Sequence, residues 1–112
     1  MAANEVLRST TSALIASGAN TSSEVNVAEA RTGLLTFPSA LTGNTLTFRT
    51  APISSGTFST LKNSTGGTVT VTMAANTSVP IPAEVLSGAK CIKLVSSGNE
   101  GADRTITIEL KS

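Results

Sequence analysis

Thr105-Ile106-Thr107-Ile108-Glu109-Leu110-Lys111 sets an apolar side chain at every second position, with a hydroxyl or a charge between. A period of two is the mark of a half-buried strand, because successive side chains leave opposite faces of a sheet. Ile106, Ile108 and Leu110 therefore define an inner face. Thr105, Thr107, Glu109 and Lys111 define an outer one. Two more stretches read the same way. Val69, Val71 and Met73 alternate with Thr68, Thr70 and Thr72, and Leu46 and Phe48 share a face opposite Thr45, Thr47 and Arg49. Further strands are expected over 13–16, 24–27, 33–37, 57–61 and 91–95.

Turn residues punctuate these runs: Ser17-Gly18-Ala19-Asn20, Thr42-Gly43-Asn44, Ser54-Ser55-Gly56, Asn63-Ser64-Thr65-Gly66-Gly67, Ser87-Gly88 and Ser97-Gly98-Asn99-Glu100-Gly101. Short strands with such regular punctuation predict an all-β protein, a single β-sandwich of about eight strands, which is the strand number of a jelly roll. Helix is scarce. Residues 81–88 carry Pro82 near a helix start and Gly88 where a C-cap belongs, so one helical turn is expected there. Val85 or Leu86 would plug an end of the sandwich. Residues 1–10 have no period that would place them in a core. They read as a frayed end or as an arm that orders on a partner. The division expected is a flexible N-terminal arm over 1–12 and a β-sandwich domain over 13–112.

At 112 residues the chain has the length of one domain, enough to bury roughly two-thirds of its unfolded surface. With three Phe and no Trp or Tyr, the core must be aliphatic. Charged residues make up 13% and the net charge is +1. That is about half the usual charged share of roughly 25%. Serine and threonine take the place of the missing charges. Such a surface suits a protein held in an assembly, since a net charge near zero favours association, although Thr also fits any pleated surface.

The same composition removes most chemistry. There is no His, so the commonest general base is absent and neither a Ser–His–Asp nor a Cys–His arrangement can be built. Cys91 is the single cysteine and reads as a buried, inert thiol in a strand. Glu100 and Asp103 lie close together in a Gly-rich loop, which raises calcium or an acid/base pair. The spacing matches no calcium loop, and the adjacent Arg104 favours a local charge pair or a hydroxyl contact. The Gly-rich turns at 65–68 and 97–101 are followed by neither Lys-Ser/Thr nor a helix, so they are not phosphate cradles. Eight basic residues are dispersed among seven acidic ones, which does not make a nucleic-acid surface. No run approaches the roughly 20 apolar residues of a membrane helix, and no signal-peptide pattern opens the chain. The expectation is a soluble protein, not an enzyme, without cofactor or metal, nucleic acid or membrane partner. A sugar site would have to rest on Phe37, Phe48 or Phe58.

The order of the pieces carries a resemblance. Ala16-Ser17-Gly18 leads into Ser22-Ser23-Glu24-Val25. Gly33-Leu34-Leu35, Phe37-Pro38, Leu41-Thr42-Gly43 and Leu46-Thr47-Phe48 follow. Val69-Thr70-Val71 precedes the turn from Pro82 to Gly88. The chain closes with Cys91-Ile92-Lys93-Leu94-Val95-Ser96-Ser97-Gly98 and Ala102-Asp103-Arg104-Thr105-Ile106-Thr107-Ile108. Over residues 13–111 this resembles the small capsid cement, or decoration, proteins of short-tailed bacteriophages, which are jelly-roll sandwiches. The chain departs from that pattern where relatives carry Tyr or Trp after Gly88 and within 57–61. Here Cys91 and Phe58 occupy those places.

What the resemblance implies is a jelly-roll-like topology and a structural role. Such a protein is made in the host bacterial cytoplasm and docks on the major capsid protein at the outer surface of the virion. It holds the shell against the pressure of packaged DNA. It does so as a homo-oligomer, a dimer in preference to a trimer. Two devices would carry the binding. One is strand addition through an edge strand or the N-terminal segment. The other is a set of apolar side chains on exposed loops, for which Pro52, Ile53, Val79 and Ile81 are the candidates. The alternative is a carbohydrate- or receptor-binding module on a phage particle, an adhesin.

Overall fold

Wherever apolar residues recur at every second position, the chain forms a strand in the computed structural model, which describes residues 8–112. The strands are β1 (Arg8–Ile15), β2 (Val25–Asn26), β3 (Thr32–Thr36), β4 (Thr45–Ala51), β5 (Ser59–Thr60), β6 (Thr70–Thr72), β7 (Ser78–Pro80), β8 (Cys91–Ser96) and β9 (Arg104–Lys111). One helical turn, α1 (Ala83–Leu86), lies between β7 and β8. No helix among the described residues is long and apolar enough to cross a membrane.

The strands make two antiparallel sheets. One has the order β1-β9-β3-β7 and the other β2-β8-β4-β5, with β6 also on β4. β5 pairs with Arg49–Thr50 and β6 with Thr45–Thr47, so the two lie end to end along one side of β4. The excursion between them is closed by a bridge from Lys62 to Thr68, and Val69 N donates to Leu61 O beyond it. β5 and β6 are thus two halves of one strand position. With them merged, one sheet runs first-eighth-third-sixth and the other second-seventh-fourth-fifth, which is the jelly-roll order.

The inner faces are the ones the alternation defines. Ile106 and Ile108 of β9, Leu46 and Phe48 of β4, and Ile92 and Leu94 of β8 are all fully buried. A Leu, Ile or Phe buried in this way contributes about 1.5–3 kcal/mol relative to exposure. Val85 and Leu86 both enter the core from α1 and close one end. The turn ends on Ser87 in the right-handed region, not on a left-handed Gly88. Ser87 Oγ donates to Glu84 O at 3.1 Å and satisfies a carbonyl that the short helix leaves over.

Two expectations change. The arm expected over 1–12 overlaps β1, because residues 8–12 pair with Thr107–Lys111 of β9; residues 1–7 lie outside the described residues. The eight-residue partner strand β9 supplies a hydrogen-bonding edge that the polar stretch Arg8-Ser9-Thr10-Thr11-Ser12 does not advertise by itself. β7 is the second change. It has three residues and ends in Pro80, too short for a period, yet it pairs with Leu34–Thr36. Its proline sits at a sheet edge, where a missing N–H is tolerated.

Candidate functional site

Beyond Ala51, at the end of β4, Pro52-Ile53-Ser54-Ser55-Gly56 makes a turn built around one carboxylate. Ser54 Oγ donates to Glu24 Oε2 at 2.6 Å, and Ser55 N donates to Glu24 Oε1 at 2.8 Å. The Ser54 hydroxyl first, and the Ser55 amide with it, hold the Glu24 carboxyl below the usual range. Ser55 takes a left-handed conformation with φ 59°, and Gly56 N returns to Ile53 O at 3.2 Å. A Cβ on Gly56 would lie 2.8 Å from Ile53 Cγ1, so the turn closes tightly only with glycine there. The result is a pinned loop with Ile53 at its tip, 60% exposed, against 43% for Leu14 and 36% for Leu34.

The face behind the turn is also unusual. Cys91 and Ala51 are paired and share the phase of exposed Arg49, not that of the core, yet both are buried. Glu24 lies against Cys91; burial, and then that negative charge, push the thiol up. On the same sheet Lys93 Nζ sits 4.6 Å from the centroid of the Phe58 ring. Phe37 and Phe48 are buried in the core. Of the three rings proposed for a sugar, two are inaccessible and the third is covered by a cation on one side.

Glu100 turns out to be a structural carboxylate. Its Oε1 accepts from Thr42 N at 2.8 Å and Arg104 Nε at 3.0 Å, and its Oε2 from Gly43 N at 2.9 Å and Ser96 Oγ at 2.7 Å. Burial by itself would raise its pKa. The donors from Thr42, Ser96, Gly43 and Arg104 outweigh burial and hold it at about 2. Asp103 turns away and accepts from Ser17 N at 2.8 Å. The two acids therefore serve separate loops and do not form a pair, and the lone pairs of Glu100 are committed to donors of this chain. Among the described residues no group of three or more His, Cys, Asp or Glu converges.

The four interface candidates do not form one surface. Pro52 and Ile53 are exposed on the pinned turn. Val79 is half-buried in β7 and packs against the core. Ile81 is a correction: it is 6% exposed and belongs to the core. Its N donates to Gly33 O at 2.9 Å, which continues the β3–β7 ladder and turns the side chain inward over Gly33. Sequence reasoning missed Leu14 and Leu34, which point outward from β1 and β3. Each adjoins a buried neighbour, Ile15 or Leu35, and a pair of adjacent apolar residues does not say which one faces in.

An open cleft of about 580 Å³ lies beside the start of β1, lined by Arg8, Ser9, Val27, Glu29, Leu110 and Lys111 among others. It contains no aromatic ring.

No protein-family model matches this chain, and no curated protein matches it in sequence. In fold it is similar to the SPBc2 prophage-derived protein YomS, known from a crystal structure, with a TM-score of 0.53 and 11% identity. That likeness covers 95% of this chain and 96% of the other. At such low identity it is a likeness of fold.

Proposed function

We propose that this chain is a decoration protein of a phage head, binding the major capsid protein at the outer surface of the shell and stabilising it against internal DNA pressure. The observation that carries the reading is the Glu24-pinned turn with Ile53 at its tip. A β-branched apolar side chain held out on a preformed loop loses little conformational freedom on docking, which is what an anchor residue needs. The jelly-roll order, the hydroxyl-rich surface of low net charge and the resemblance in residues 13–111 support the same reading. So does the fold shared with a protein whose name marks it as prophage-derived. Each contact can be modest, because a shell repeats its sites and linked copies gain from effective concentration.

The experiment is co-sedimentation of the purified chain with phage heads that lack it, followed by heating of the particles. Saturable binding in fixed ratio to the shell protein, with DNA release moved to higher temperature, is the expected result. Ile53→Asp should abolish the binding and leave the fold intact. A chain that binds no head but adheres to host cells would replace this reading with the adhesin.

A further inference from the structure

A sheet edge is a row of unpaired N–H and C=O groups, and β proteins protect such rows. Among the described residues, three of the four sheet edges are short or broken. β2 has two residues, β7 has three and ends in proline, and the β5/β6 position is interrupted. β1 differs. Its eight residues run in unbroken register from Arg8↔Lys111 to Ile15↔Arg104, with no bulge, no proline and Arg8 as the one charge.

The available part of this edge can be located. Leu14 N donates to Ser23 Oγ at 3.3 Å, and Leu14 O accepts from Ser23 N at 3.0 Å. The main-chain groups of Leu14 therefore point away from β9. By the alternation of an antiparallel ladder, those of Ser12, Thr10 and Arg8 point the same way. Among the described residues, nothing pairs with these three.

We propose that β1 pairs antiparallel with β1 of a second copy, about a two-fold axis at Thr10. The register follows from the groups that are free. Centring on Thr10 sets Thr10 against Thr10 of the second copy and Arg8 against Ser12, so all three outward-facing residues find partners. A shift of one pair toward the C-terminus would set Arg8 against Leu14, whose groups are already bonded to Ser23. No like charges face each other in the Thr10 register, and hydroxyl pairs across strands are favourable. The interface is isologous, as closed dimers require. Two four-stranded sheets become one eight-stranded sheet in the order β7-β3-β9-β1-β1-β9-β3-β7. The inference stands independently of the phage reading.

The test uses the full chain in sedimentation equilibrium from micromolar to millimolar concentration. The expected mass rises from one chain to two. Thr10→Pro removes an outward donor that β9 does not use, so this variant should keep its melting temperature and halve the mass at high concentration. Thr10→Cys should be joined to a second copy by a short bis-maleimide. Thr60→Cys, on the far sheet, should not, and buried Cys91 should not react. A chain that stays monomeric throughout overturns the proposal. So does a dimer that Thr10→Pro leaves untouched and Thr10→Cys fails to capture. A monomer whose binding to phage heads is lost with Thr10→Pro would assign the edge to a shell strand, and that also overturns it.

Discussion

Glu100 accepts the amide proton of Gly43 at 2.9 Å across 57 positions of sequence, inside a site where its side chain is sealed from solvent. The same carboxylate takes the Thr42 amide, the Ser96 hydroxyl and the Arg104 guanidinium, so it ties the loop before β4 to the loop between β8 and β9. Every lone pair of this buried charge is matched by a donor, and removal of one partner from such a site is expensive because it leaves buried polar groups uncompensated.

Acid should reveal this carboxylate. Its pKa in the folded chain is about 2, below the ordinary 4.5. A depressed carboxylate stabilises the fold above its ordinary pKa, and that stabilisation is lost as pH falls from about 4.5 through about 2. The shift corresponds to roughly 3 kcal/mol. Urea unfolding at pH 7, 4 and 2.5 should show the loss. Glu100→Gln should be less stable at pH 7 by about 3 kcal/mol and should show a flatter acid limb.

Gly43→Ala should be destabilising although its backbone is not left-handed. The added Cβ would overlap Ser96 Oγ and lie 3.1 Å from Met73 Cε. The Ser96 hydroxyl would be displaced from Glu100. Overpacking of this kind costs about 1–3 kcal/mol. In a Ser96→Ala background the penalty should shrink, and a double-mutant cycle of melting curves measures the coupling.

Ile53 and Ile81 should separate surface from core. Ile53→Ala is expected to change stability by no more than about 0.5 kcal/mol, since its side chain is mostly in water. Ile81→Ala should cost about 2–5 kcal/mol, because it opens a cavity against Gly33 and Leu110. Thermal or urea unfolding of the two variants distinguishes them directly.

Cys91 should be inert to thiol reagents in the native protein. Burial first, and Glu24 beside it, push the thiol up and leave little thiolate. Reaction with a disulfide reagent at pH 8 should be slow and limited by opening of the fold. It should become fast in denaturant.

The residues by themselves determined the class of this protein and most of its strands. Ile106, Ile108 and Leu110, or Val69, Val71 and Met73, repeat at the period of a pleated strand, and that period holds whatever the strand packs against. Helix α1 was legible for a similar reason, through Pro82 and the apolar pair Val85 and Leu86. What tertiary structure alone decided is whatever depends on a partner far away in sequence. Arg8–Ser12 is a strand because β9 offers it an edge, and Ser78–Pro80 because β3 does. Ile81 reads as an exposed loop residue, but the ladder bond to Gly33 turns it inward. Leu34 and Leu35 are equivalent on paper until the register with β9 sends one out and one in. Glu24 and Glu100 have the same composition and no local motif. Donors from distant loops make the first a clamp on an exposed turn and the second a buried strut. Local periodicity records which face of an element is apolar, and only the folded chain settles which groups meet.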